Sequence, residues 1–450
     1  MSSKIAKDVT LLFMAALLVR VGYALFFVEP EYLLTEDQAL YIQLAQQFPN
    51  SGFLGVTSER VPGYPLFIAS IYTLFGEGLW NVISIQILLD SISCVVIALM
   101  AKSLFGKGFW VAGILSAINL NMVILSASLL TDTLFLFLFI LFLFSLLQYF
   151  HSDKIIWFFL LVLFISSATL VRAASYYLLP FLLVGLVSLR LWQRDSILKI
   201  TTLIIMYLGI TAILLGGIHQ RNYEQYGSME FVSQTGTAIL GWVVPATYQY
   251  SGQGSYQEGQ LMAMKKLDSA LRRDNMDSLS QNPFENSAYQ VKIGKEIFLE
   301  IGIVNMLKAW IAGSTINLLA PSVAFSPALR TMDHPSFYET KGSGIVEKLF
   351  NYIKNSSGFL YLSILAVGTI ISIIFTMLAL IGVFKMISVL PPITVTTLLL
   401  LVGYFFAITG PIIGVKYRLP IEPLLTLFAS YAVVNCKFFV KKLNLKKFFL

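Results

Sequence analysis

Apolar runs of roughly 20 residues recur along the chain, and each is long enough to cross about 30 Å of hydrocarbon as a helix rising 1.5 Å per residue. In lipid such a run can satisfy its own backbone only by forming a helix. The sequence therefore predicts an all-α, polytopic membrane protein with about ten spans: 9–28, 79–101, 110–126, 130–149, 155–171, 174–190, 199–219, 358–384, 392–410 and 417–436. Of the 450 residues, 57% are apolar and 12% charged, against roughly a quarter charged in soluble domains, so composition argues against a soluble fold.

Placing the N-terminus in the cytoplasm puts Lys4, Lys7, Lys102, Lys107, Lys154, Arg190, Arg194, Lys199, Lys385 and the lysines of 437–447 on the inner side. The short outer loops then hold only Arg60, Arg172, Lys416 and Arg418. This asymmetry follows the positive-inside rule and accounts for much of the formal +7 charge without nucleic acid as a partner. The expected location is the plasma (inner) membrane, with both termini cytoplasmic. The expected parts are 1–219, with seven spans and an acidic first outer loop (29–78), an extracytoplasmic helical cap (220–357), and 358–450, with the last spans and a basic tail. In the cap, Leu261, Met264, Lys265, Leu267 and Leu271 follow a helical period. A second pattern runs from Ser287 towards Leu299 after the Asn282-Pro283 break. Residues 302–325 are apolar but interrupted by Lys308, Gly313, Ser314 and Asn317, and are read as interfacial or re-entrant. The first run carries Arg20 and no small-x-small cleavage site, so it reads as retained. Cys94 and Cys436 fall in or beside spans and make no disulfide framework.

The first outer loop holds the densest polar chemistry. Leu34-Thr35-Glu36-Asp37-Gln38 reads as a helix start, with Thr35 and Gln38 as a capping box. Glu36 and Asp37 then sit in the first turn, where carboxylates complement the positive end of the helix dipole. The same position, on a rigid helix end at the membrane surface, also suits a general base. Arg60-Val61-Pro62-Gly63-Tyr64-Pro65 reads as a type II turn on Pro62-Gly63, leading into a short apolar helix from Leu66 to Phe75. Arg60 can be a snorkelling interface residue or a phosphate ligand. Arg20, inside the first span, requires a carboxylate or phosphate partner and is read as supporting the acidic loop.

Taken in order, several pieces resemble the GT-C superfamily of membrane glycosyltransferases, in particular the bacterial family 39 relatives of protein O-mannosyltransferases and of the aminoarabinose transferase that modifies lipid A. They are Asp37-x-x-x-Tyr41-x-x-x-Ala45, Arg60-Val61-Pro62-Gly63-Tyr64-Pro65-Leu66-Phe67, Leu74-Phe75-Gly76, Thr131-Asp132, Arg172, Arg221-Asn222-Tyr223 and Tyr417-Arg418-Leu419-Pro420. The resemblance implies a GT-C fold with extracytoplasmic interfacial helices. It also implies transfer of a sugar, with inversion, from a polyprenyl-phosphate carrier in the membrane lipids to an extracytoplasmic glycan, lipid or protein acceptor. Asp37 matches the family's catalytic base, with Glu36 in reserve. Tyr41, Tyr64 and Asp132 match positions that shape the substrate cavity, although Thr131 or Asp132 can equally cap a helix.

A departing lipid phosphate develops negative charge, which gives the outer-face cations Arg60, Arg172, Arg221, Lys416 and Arg418 a common task as donor-phosphate ligands. His151, His219 and His334 have neither metal-ligand spacing nor Cys partners, so no protein metal site is expected. The resemblance leaves open a divalent ion bridging Asp37 and the donor phosphate. The competing class is a transporter or flippase of a lipid-linked saccharide, which would place its functional polar groups near the bilayer midplane.

Overall fold

The computed structural model describes residues 3–29, 36–51, 57–332, 334–337, 339–342, 344–356 and 358–436, and the regular structure among them is helical. The first half comprises α1 (Ser3–Phe27), α2 (Glu36–Ser51), α3 (Gly63–Phe75), α4 (Leu79–Phe105), α5 (Phe109–Ala117), α6 (Leu120–Ser126), α7 (Thr131–Ser152), α8 (Ile155–Val171), α9 (Leu178–Trp192) and α10 (Ile197–Tyr226). A helical layer follows, made of α11 (Thr235–Ala238), a π-turn over Ile239–Val243, α12 (Val244–Tyr250), α13 (Tyr256–Arg273) and α14 (Pro283–Ile301). The chain continues through α15 (Ile303–Leu319), α16 (Pro327–Arg330), α17 (Ile345–Asn355), α18 (Phe359–Ile387), α19 (Pro392–Thr409), α20 (Val415–Arg418) and α21 (Glu422–Val434). The Leu34-Thr35 start of the expected capping box and the tail beyond 436 lie outside the described residues.

The bundle is built inside out relative to a soluble protein. Ile370, Ile371 and Phe384 of α18, Ile213 of α10 and Phe181 of α9 are all more than half exposed, whereas Gln86, Asp90 and Ser91 of α4 are buried. Apolar side chains face where lipid would be, and polar ones are kept for contacts between helices. The central helices α4 and α7 pack on α1, α5 and α8, and α18 packs along α21.

Seven of the ten expected spans are helices long and apolar enough to cross a membrane. The other three are helical but short or broken. The expected 110–126 span bends by 53° between α5 and α6. There the Asn119 side chain accepts from the backbone N–H groups of Asn121 and Met122 and starts a new helix. The 155–171 span is α8, whose 17 residues are at the lower limit for crossing. The 417–436 span is interrupted, with α20 and a 3₁₀ turn at Leu419–Ile421 ahead of the 13-residue α21. Tertiary contacts help impose the break at 110–126, whereas that at 417–436 also coincides with Pro420 and Pro423.

Within the helical layer, a capping box of Ser255 and Glu258 starts α13, and Asn282 with Pro283 starts α14. Leu240, Val244, Ala263, Ala270, Ile293 and Ile297 form its small core. Leu261 and Met264 remain exposed and line a groove of about 530 Å³ with Leu240, Gln257, Gln260 and Gln290. At Gly302, with φ +81°, the chain turns by 102° from α14 into α15. α15 descends alongside α18, where the carbonyls of Leu318 and Ala320 accept from Thr376 and Ser372. The chain then turns back, and the Ser326 hydroxyl meets Tyr23 near the C-terminal end of α1.

Candidate active site

One end of the bundle collects the C-termini of α1, α8 and α10 and the N-termini of α2, α3 and α7. The residues singled out from sequence converge there, with different partners. Asp37 lies in the first turn of α2, its side chain 43% exposed and so open to an incoming group. Arg60 Nη2 donates to Asp37 Oδ1 at 2.9 Å, and Arg60 Nη1 donates to Gln234 Oε1 at 2.9 Å. The remaining Arg60 nitrogen, Nε, is buried and has no hydrogen-bond partner. The side chain of Glu36 lies outside the described residues.

The loop bearing Arg60 is threaded between the end of α10 and the start of α11. Ser233 N donates to the Ser58 carbonyl at 2.9 Å, and the two hydroxyls lie 3.1 Å apart. Arg221 Nη2 donates to the Thr57 carbonyl at 3.3 Å, and its Nε and Nη2 both donate to Asn222 Oδ1. Asn222 in turn donates to the Glu230 carbonyl. Arg221-Asn222 thus clamps the loop that carries Arg60.

Pro62-Gly63 does not form the expected type II turn. Pro62 has φ −79° and ψ −11°, a helical conformation, and α3 begins at Gly63, ahead of Pro65. Gly63 is needed for proximity, since a Cβ there would come within 2.5 Å of the Leu170 carbonyl oxygen in α8. The close approach seats α3 against the end of α8, two residues before Arg172. Tyr64, expected to shape a cavity, is wholly buried, and its hydroxyl donates to Gln86 Oε1 at 2.7 Å. Gln86 donates onward to the carbonyls of Ser126 and Ser128, which fixes the segment leading to α7.

Neither Thr131 nor Asp132 caps α7. Leu130 occupies the N-cap without a side-chain bond, and Asp132 Oδ1 is instead paired with Arg172 Nη1. The two residues are 40 apart in sequence, so the pairing carried no local signal. Tyr41 is buried between the pairs, within electrostatic reach of Arg60, Asp37, Arg172 and Asp132, and its ring stands edge-on to Tyr64 at 5.2 Å. Burial raises the pKa of its hydroxyl and the nearby Arg60 partly opposes this, so Tyr41 is a phenol at neutral pH. Tyr417 also lies within electrostatic reach of Arg172. Lys416, partly exposed, has its ammonium 5.5 Å from the centre of the Tyr417 ring. Arg418 points the other way: it is 4% exposed, and its guanidinium is bound within the protein.

Sequence reasoning passed over Lys348. This wholly buried side chain on α17 donates to Gln249 Oε1 at 2.8 Å and lies 4.9 Å over Phe337. Burial lowers its pKa to about 8. The available signal was the strict segregation of α17, which exposes Val346, Phe350 and Ile353 and turns Lys348 inward.

Among the described residues, no three His, Cys, Asp or Glu side chains are grouped to hold a metal ion. Asp37 and Asp132 are each engaged by an arginine. These described side chains alone do not make up the donor set of a resident divalent ion.

Residues 59–215 match the model of the dolichyl-phosphate-mannose-protein mannosyltransferase family, about a third of the chain. No curated protein matches the sequence. Among solved structures, the archaeal oligosaccharyltransferase AglB from Archaeoglobus fulgidus, in complex with an inhibitory peptide and a dolichol-phosphate, aligns over 96% of this chain at 10% identity with a TM-score of 0.52. The chain spans 50% of that protein's length. ArnT from Cupriavidus metallidurans in the apo state aligns over 95% of this chain and 78% of its own, at 16% identity and a TM-score of 0.42. The GT-C resemblance read from the sequence is borne out by the family match and the fold, and the chain has the GT-C architecture of a multi-pass membrane protein.

Proposed function

We propose that the protein is an inverting glycosyltransferase that moves a sugar from a polyprenyl-phosphate donor to an acceptor hydroxyl on the extracytoplasmic side. The observation that carries this reading is the exposed Asp37 carboxylate beside Arg60, with Tyr41, the Asp132–Arg172 pair, Tyr417 and Lys416 gathered at the same end of an apolar bundle. The partial match to a family named for a dolichyl-phosphate-linked donor supports it, as does a fold shared with an enzyme seen with dolichol-phosphate.

Arg60 holds Asp37 through Oδ1 and leaves Oδ2 to accept the proton of the acceptor hydroxyl. The freed oxygen attacks the anomeric carbon opposite the phosphate, and the bond from that carbon to the phosphate oxygen breaks. Its electron pair leaves on the lipid phosphate. Lys416, partly exposed, and Arg172, tied to Asp132 only through Nη1, are the cations with capacity for that charge. Both carboxylates are paired with an arginine, but Asp132 is 3% exposed against 43% for Asp37, so only Asp37 is presented as a base. Arg221 holds the Arg60 loop through Thr57.

The test is transfer of labelled sugar by purified protein, offered polyprenyl-phosphate sugars and an extract of exported glycans, lipids and proteins. Asp37→Asn is expected to lower the rate about 10²- to 10⁴-fold while remaining folded. Full activity in the mutant would remove Asp37 as base. Absence of transfer with every donor, together with translocation of a lipid-linked saccharide in vesicles, would replace this reading with the flippase.

A further inference from the structure

The Tyr417-Arg418-Leu419-Pro420 motif divides its cations between two directions. Arg418 Nε donates to Glu422 Oε1 at 2.6 Å, Nη1 to the Leu318 carbonyl at 2.9 Å and Nη2 to Ser322 Oγ at 3.2 Å. All three guanidinium nitrogens are thus engaged inside the protein. Glu422 is wholly buried and also accepts from Asn119 Nδ2 at 2.8 Å and Asn121 Nδ2 at 3.1 Å. The Arg418–Glu422 pair therefore joins three broken elements: the α5/α6 bend, the return of the chain after α15, and the interruption between α20 and α21.

The same network grips the loop just before Lys416. Asn121 Nδ2 donates to the Val415 carbonyl at 3.0 Å. From α15, Asn317 Oδ1 accepts from Gly414 N at 2.8 Å, and its Nδ2 donates to the Ile412 carbonyl at 2.9 Å. Lys416 and Tyr417 are the two residues left between a fixed Val415 and a fixed Arg418. We infer that Arg418 and Glu422, with Asn119, Asn121 and Asn317, form a positioning frame that holds Lys416 and Tyr417 toward the Asp132–Arg172 pair, and that Arg418 itself does not contact the donor phosphate. A buried ion pair is seldom worth more than apolar packing of the same volume, so its contribution here is geometric. The inference rests on the proposed donor site, because it assigns Lys416 the phosphate contact.

Binding of a polyprenyl phosphate in detergent micelles, followed by the change in protein fluorescence, tests the frame without requiring sugar transfer. Lys416→Met is expected to weaken binding about tenfold, the loss typical of one charge-assisted contact. Arg418→Lys is expected to weaken it to a similar degree, and the Lys416→Met/Arg418→Lys double variant no further, because the frame acts only through Lys416. Asn317→Ala, which loosens the loop without touching Arg418, should reproduce the loss and covers the case in which Arg418→Lys fails to fold. Multiplying losses in the double variant would make Arg418 a phosphate ligand and overturn the inference. Unchanged binding in both Arg418→Lys and Asn317→Ala would reduce the network to structure and overturn it equally. If the wild type binds no polyprenyl phosphate, the donor-site reading falls and takes this assignment with it.

Discussion

Arg20 and Asp90 lie side by side with no more than 1% of either exposed, Nε to Oδ2 at 2.6 Å. Arg20 also donates to the carbonyls of Ala16 and Ala117 and to Cys94 Sγ, so a single guanidinium ties α1 to α4 and α5. The need for a partner was legible from a charge inside an apolar run, but the carboxylate is on α4 and not in the acidic loop. Removing one member strands the other, so Arg20→Leu is expected to cost about 3–5 kcal/mol in unfolding free energy. Arg20→Leu/Asp90→Leu should recover most of that, because two apolar side chains leave no orphan charge. Denaturant unfolding in detergent micelles measures both, and equal losses in the single and double variants would refute the argument. The site shows the same limit of sequence reading. Asp37 was legible because a helix start is written locally, whereas the Arg172–Asp132 pair spans 40 residues. The inward turn of Arg418 was hidden because a motif fixes order along the chain and not the direction of a side chain.

At the scale of elements, the length of apolar runs identified seven helices that are, among the described residues, long and apolar enough to cross a membrane, and their packing depends on small residues that composition does not single out. Gly382 of α18 lies directly against the backbone of Phe428 in α21, and a Cβ there would fall inside the Phe428 carbonyl. Gly209 of α10 has open space around the equivalent position. Two glycines in similar apolar helices should therefore respond oppositely to the same change. Gly382→Ala is expected to destabilise by about 1–3 kcal/mol or more, because backbone cannot move aside as a flexible side chain can. Gly209→Ala is expected to be neutral or to gain up to about 1 kcal/mol from helix propensity. Thermal unfolding of the two variants compares them, and a loss at Gly209 equal to that at Gly382 would mean that close α18–α21 packing is not the cause. The break at Asn119 escaped the sequence for a related reason, while that at 419–421 is also written locally by Pro420 and Pro423. Asn119, Asn121 and Glu422 enforce them through one another, across some 300 residues of chain.

For the whole molecule, the parity of the crossings sets which chemistry the site can meet. Asp153, Arg190, Asp195 and Lys199 form one ion-pair cluster where α7, α9 and α10 reach the end of the bundle away from the candidate site, with Arg190 Nη2 2.6 Å from Asp153 Oδ1. These are positions that the positive-inside rule assigns to the cytoplasm, and on that rule the acidic loop, the α11–α14 layer and the Lys416 loop are expected outside. Single cysteines test this in a Cys436→Ser background, where the remaining Cys94 is buried. Asp268→Cys, exposed on α13, should react with a membrane-impermeant maleimide on intact cells, and Lys107→Cys, exposed beyond α4, only after permeabilisation. The reverse pattern would turn the site toward the cytoplasm and remove exported acceptors from its reach. The expected pattern would leave Asp37 facing exported hydroxyls while its lipid donor arrives laterally from the bilayer, an arrangement that lets one apolar bundle bring together a membrane-bound donor and an acceptor outside the membrane.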